Sequence, residues 1–150
     1  MNRDNPLLTS ADVLPFFKFI RNKKQEYFLC LSLDSGQRLI ARRTVTIGLL
    51  TTSLVHPREV FAGPLKDRAA SVIICHNHPS GDPSPSKEDI ETTQQLIAAA
   101  QILGIRLRDH IIVARSEHYS FARYGLIDDF FTAPSRPQRV KDGSFDLSSL

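Results

Sequence analysis

Cysteine is scarce in this sequence, with two in 150 residues and no Cys-x-x-Cys pair. A secreted disulfide framework is therefore not suggested, and the zinc nucleoside deaminase signature, His-x-Glu with Pro-Cys-x-x-Cys, is absent. Cys30 and Cys75 lie in separate apolar, β-like runs, and both are expected to be reduced, buried and turned away from any chemistry. Long apolar stretches are missing too. The longest run, within Ala69–Cys75, falls far short of the ~20 residues that cross a bilayer, and Met1 does not open a basic-then-apolar leader. A cytoplasmic protein without membrane contact is expected. Charge of one sign is nearly balanced, at a net +3. The basic clusters Arg21–Lys24 and Arg42-Arg43 lack the interleaved aromatics of single-strand binders, so nucleic-acid binding is permitted but not indicated.

At 41% apolar, the chain is long enough for one domain with a substantial core. Thr9 and Ser10 precede an apolar segment, Val13–Ile20, that reads as a helix carrying Pro15 near its start. Tyr27–Leu33 and Arg38–Ile47 flank Asp34-Ser35-Gly36, which predicts a hairpin at one edge of a sheet. Pro57 suits a first helical position, so His56 to about Arg68 reads as a helix that Gly63-Pro64 should break or kink. Ser71–Cys75 has the continuous apolar character of a strand buried on both faces, as in α/β proteins. Ser86–Leu103 repeats apolar positions at Ile90, Thr93, Leu96, Ile97, Ala100 and Leu103, near helical period, and Gly104 stops it. Ile111–Ala114 and Tyr119–Ala122 form a second hairpin candidate. Phe130-Phe131 is placed to cover the core or a partner, and from Pro134 the composition predicts a mobile tail.

The informative stretch is His76-Asn77-His78, a seven-residue Pro/Gly-rich loop, then Ser86-Lys87-Glu88-Asp89. Chance produces these four positions in roughly one chain in a thousand of this composition. At an extended strand end, residues two apart share a face, so His76 and His78 present two imidazoles to one ion while Cys75 and Asn77 face away. Turn chemistry in Pro79-Ser80-Gly81-Asp82 returns the next helix beside the strand end, where Asp89 supplies a third ligand. Three protein ligands leave one tetrahedral position for water, which is the arrangement of a catalytic rather than a structural zinc.

Hydrolysis also needs a proton carrier that does not ligate the metal. Of five glutamates, Glu88 and Glu91 turn away from the Asp89 face, Glu26 and Glu117 have no motif context, and Glu59 remains. Ser86 is placed to donate to a developing oxyanion. Plainer readings stand beside these. Ser86-x-x-Asp89 is also a helix capping box. Glu59 in a first helical turn favours the helix dipole without any chemistry. His56 is a helix-start residue or lies behind the ligands, and Asp109-His110 pairs locally or does the same.

His76-Asn77-His78-Pro79-Ser80-Gly81-Asp82-Pro83 with Pro85-Ser86-x-x-Asp89, and upstream His56-Pro57-Arg58-Glu59-Val60-Phe61, closely resemble the RadC-like branch of the JAB/MPN (JAMM) metalloprotease family. Leu103-Gly104-Ile105 and Asp109-His110-Ile111-Ile112 fit the same pattern. The resemblance covers roughly Ser10–Gly125. It implies a JAB/MPN domain over residues 10–127, between an N-terminal segment, 1–9, and a tail, 128–150. The implied fold is a single-domain α-β-α sandwich with a curved mixed sheet flanked by helices. It further implies one Zn2+ on His76, His78 and Asp89, Glu59 as general acid/base, and Ser86 assisting at the oxyanion. The implied substrates are proteins or peptides, including ubiquitin-like tails, cleaved at peptide or isopeptide bonds. The competing expectation is a DNA-associated accessory protein that keeps the zinc fold without peptidase activity. It follows from the branch's DNA-repair label and the basic balance. Long members of that branch carry an N-terminal helix-hairpin-helix-like region that has no counterpart in these residues.

Overall fold

The computed structural model describes residues 3–48 and 55–127, together with the backbone of 138–139 and 145–146. Strands β1 (Glu26–Leu33), β2 (Leu39–Gly48), β3 (Ser71–Asn77), β4 (Arg106–Val113) and β5 (His118–Ser120) form one sheet in the order β2-β1-β3-β4-β5. The β1–β2, β1–β3 and β4–β5 pairs are antiparallel, and β3–β4 is parallel. A parallel neighbour requires a crossover, and the helix α3 (Lys87–Leu103) supplies it. The result is the expected single domain with a mixed sheet and helices on both faces.

Each face has its own core. On one side, Leu7, Val13, Phe16, Phe17 and Ile20 pack on Leu29, Leu31, Ile73, Cys75 and Ile111. On the other, Val60 and Phe61 of the helix α2 (Pro57–Lys66), with Leu96 and Ala100 of α3, cover Phe28, Cys30, Val72, Ile74 and Ile112. Burying each large side chain contributes about 1.5–3 kcal/mol, so alternation along the strands decides which face each residue serves. β3 is central and every residue in it is buried, as its unbroken apolar character predicted.

Several expectations change in detail. Val13–Ile20 is not one helix. A four-residue helix α1 (Ser10–Val13), capped by a Thr9–Asp12 box, gives way to 3₁₀ turns at Leu14–Phe16 and Lys18–Ile20. Pro15 cannot donate to Ala11 and its ring crowds that carbonyl, so the α pattern ends there. Conversely, Gly63-Pro64 does not break α2, which runs through to Lys66 with Pro64 buried. Gly63 has a steric role instead. A Cβ there would lie 2.5 Å from Arg43 Cδ, because the Arg43 side chain crosses the helix at this point to pair with Asp67. β4 begins at Arg106, five residues before the apolar run that announced it. Leu7 packs into the core, so the folded unit starts before residue 10. Beyond Ile127, Gln138–Arg139 pairs with Phe145–Asp146 as a short antiparallel ladder. Phe130-Phe131 and the rest of the tail lie outside the described residues. Among the described residues, no helix is long and apolar enough to cross a membrane.

Candidate metal centre

The register of the sheet builds the site. Phe28 lies opposite His76 across β1 and β3, and Ile74 opposite His110 across β3 and β4, so these side chains share the face covered by α2 and α3. The Phe28 ring stacks on His76 with centroids 5.9 Å apart. Asn77 points the other way, as alternation requires. It closes the start of β1, accepting from Tyr27 N–H at 2.7 Å and donating to the Gln25 carbonyl at 2.9 Å. Cys75 likewise belongs to the opposite core.

Cys30 does not follow the expectation. It sits on the same face as Phe28 and Ile74, one pair of rows below the imidazoles, because directly opposite residues of an antiparallel pair share a face. Both thiols are nevertheless free and buried. Burial pushes Cys30 up to about 12 and Cys75 well above its ordinary value, which leaves neither as a nucleophile at neutral pH.

The loop after His78 turns at Gly81, whose φ of 92° suits glycine. It delivers Ser86 as the N-cap of α3. Ser86 Oγ accepts from Asp89 N–H at 3.0 Å, and Asp89 Oδ2 accepts from Ser86 N–H at 2.9 Å. The capping-box reading is therefore correct, and it coexists with the ligand reading. The same carboxylate places Oδ1 3.2 Å from His76 Nε2 and Oδ2 3.1 Å from His78 Nε2, while the two Nε2 atoms are 3.1 Å apart. One ligand atom from each of the three residues lies within 4.8 Å of the others, a grouping that could hold a metal ion.

The second nitrogen of each ring is engaged by protein. His78 Nδ1 donates to the Asp82 carbonyl at 2.9 Å, which leaves Nε2 with its lone pair toward Asp89. His76 Nδ1 meets His110 Nε2 at 2.8 Å, and His110 Nδ1 meets Thr93 Oγ1 at 2.6 Å. Burial works against charge on His78, but once the ring is protonated its N–H donation to Asp89 and to the Asp82 carbonyl outweighs that cost and raises its pKa. Burial likewise opposes ionisation of Asp89, and the two imidazoles more than reverse that effect, holding the carboxyl far below its usual range. His110 is fully buried, and desolvation with the neighbouring His76 lowers its pKa well below the ordinary value. Two imidazole lone pairs and a carboxylate crowded together suit a divalent cation of zinc type in donor identity and number.

The other expected residues are placed differently. Glu59 lies in the first turn of α2, its side chain 59% exposed, with Oε1 3.7 Å from Arg58 Nε. It lines a surface hollow with Arg43, Thr44, Val45 and Gly63. Thr46 lies opposite Phe28, in the row that contains His76, and Thr44 and Val45 of the hollow precede it along β2. Among the described residues, no hydrogen bond or ion pair joins Glu59 to the triad. His56 caps α2 through its backbone, its carbonyl accepting from Glu59 and Val60. Asp109 binds His110 N–H, Ala122 N–H and the Ser120 hydroxyl, tying β4 to β5 rather than entering the site. Thr93 stands on the apolar stripe of α3 and is buried there. Its spacing of four from Asp89 was the available signal that it belongs to the site.

Fold and site together define a class: a mixed-sheet α/β sandwich with two imidazoles and a carboxylate converging where its central strand ends. The model of the RadC-like JAB domain matches residues 7–126, and the chain belongs to that family. It is 48% identical over 116 residues to a UPF0758 protein of Pelobacter propionicus, covering 77% of this chain and 51% of that one. Over 108 residues it is 50% identical to a UPF0758 protein of Methanospirillum hungatei and 51% identical to one of Bacillus licheniformis. Those matches cover 72% of this chain and 48% of each relative. The chain spans about half the length of the curated relatives it matches.

Proposed function

We propose that the chain is a zinc-dependent metallohydrolase of the JAB/MPN type that cleaves peptide or isopeptide bonds. The observation that carries this reading is the convergence of His76 Nε2, His78 Nε2 and the Asp89 carboxylate, each pre-oriented by a second hydrogen bond. Zinc bound there would bring the pKa of its open-position water towards ~7 and polarise a substrate carbonyl. Glu59, in the first turn of α2, takes the proton of the attacking water and passes it to the leaving amine. Ser86 Oγ accepts from Asp89 N–H, which leaves its own O–H free to donate to the carbonyl oxygen as charge develops there.

The experiment is a profile of linear-peptide and isopeptide libraries with the zinc-loaded protein, comparing wild type with Glu59→Gln and measuring metal in both. A general acid/base contributes about 10²–10⁴-fold, so Glu59→Gln should lose activity on that scale while keeping fold and zinc. Full activity in that variant would remove Glu59 from the mechanism. DNA binding that falls steeply with salt, without any amide hydrolysis, would favour the accessory role instead.

A further inference from the structure

The His76 ring can offer Nε2 to a cation only if its proton is on Nδ1, and the structure shows what enforces that choice. The Asp89 carbonyl oxygen can only accept, so Thr93 Oγ1, 2.7 Å away, must spend its hydrogen there. Its lone pairs then face His110 Nδ1 at 2.6 Å, which must be the N–H of that ring. His110 Nε2 is consequently bare, and at 2.8 Å it requires His76 Nδ1 to be the donor. Each step follows from the one before, and the direction is set by a single carbonyl at the far end. The reverse order would hold two oxygens, Thr93 Oγ1 and that carbonyl, 2.7 Å apart with no hydrogen between them. It would also put a proton on His76 Nε2, aimed at His78 and Asp89.

The surroundings protect the order. His110 is fully buried, stacked on Phe121 at 4.6 Å and edge-on to Phe28 at 5.8 Å, and Thr93 is buried beneath α3. Water has no access to offer either ring a substitute partner. The chain also returns to its origin, since the carbonyl at one end belongs to Asp89 and the ring at the other to His76.

We propose that Thr93 and His110 are positioning residues, a buried relay that holds His76 in its Nδ1–H tautomer and so sets the metal affinity of the triad. The effect on affinity rests on the metal-site reading above, whereas the tautomer does not. Partners behind a ligand typically affect metal affinity by about 10–100-fold, and that loss is expected for Thr93→Val, which keeps shape and removes the hydroxyl. Thr93→Ser should restore affinity.

The test has two readouts on the full chain. One is zinc affinity by chelator competition for wild type, Thr93→Val and Thr93→Ser. The other is the ¹⁵N NMR tautomer of His76 in metal-free wild type above the imidazole titration range. The relay predicts protonated Nδ1 in wild type, a tautomer mixture in Thr93→Val, and recovery in Thr93→Ser. An Nε2–H tautomer in wild type would overturn it even if Thr93→Val failed to fold, as would Thr93→Val with wild-type tautomer and affinity. Wild type that takes up no zinc while showing the Nδ1–H tautomer would refute the metal-site reading and leave the relay standing.

Discussion

Because Asp89 Oδ2 accepts the Ser86 N–H while both carboxylate oxygens face imidazole nitrogens, one side chain closes a helix cap and would complete the proposed ligand set. Removing it should therefore be felt twice. Asp89→Ala should abolish metal binding and lower stability by about 0.5–2 kcal/mol, the usual cost of a lost cap. Asp89→Asn keeps an oxygen for the Ser86 N–H and loses the charge. Its metal-free protein should unfold between wild type and Asp89→Ala, because the contacts that hold the carboxyl far below its usual range are lost, and its zinc affinity should fall far below wild type. Equal loss of stability in both variants would show that the cap does not act as described. The two roles were legible at Ser86-x-x-Asp89 because both use the same helix-start geometry. The contribution of Thr93 was not, since a threonine on an apolar helical stripe looks like a core residue until the imidazole opposite it is known.

At the scale of elements, α2 shows how a side chain from another strand can reverse a local rule. Gly63-Pro64 inside a helix predicts a kink, yet the helix continues because Pro64 is packed in the interior and Gly63 gives Arg43 room to reach Asp67. Sequence alone carries no sign of a partner twenty positions upstream, which is why the break was expected. Replacing Gly63 with Ala offers about 0.5–1 kcal/mol of helix propensity but forces Arg43 aside, and overpacking of that kind costs about 1–3 kcal/mol. A net loss of stability is expected, measured by chemical unfolding. The Arg43 guanidinium holds the Asp67 carboxyl below its usual range. A depressed carboxyl stabilises the fold above its unfolded-state pKa and loses that contribution as the pH falls through the folded-state value. The melting-temperature gap between wild type and Asp67→Asn should be full at neutral pH and close below about pH 4. A gap that stayed constant through the acid range would contradict the pairing. The hairpin of β1 and β2, the buried β3 and the capped α3 were read directly from alternation, apolar continuity and Gly104. β4 starts well before its apolar run because Arg106, Arg108 and Asp109 are polar at positions only partly covered.

For the whole molecule, the placement of the site follows from the crossover. A parallel β3–β4 pair needs a helix between its strands, and the loop leading into that helix must pass the end of β3. His76, His78 and the first turn of α3 therefore meet where the sheet ends, with His110 on the neighbouring strand behind them. The convergence of His76, His78 and Asp89 was readable from spacing because they lie within fourteen residues. The relation of Glu59 to it was not, because that depends on how a separate helix lies across the sheet. The proposed joint binding of zinc by His76, His78 and Asp89 is checked by X-ray absorption at the zinc edge on the reconstituted protein. One zinc per chain is expected, with two imidazole nitrogens at about 2.0–2.1 Å and carboxylate oxygen at about 2.0–2.2 Å, and no such spectrum from His78→Ala. Wild-type protein that retains no zinc, or a spectrum unchanged in His78→Ala, would contradict it.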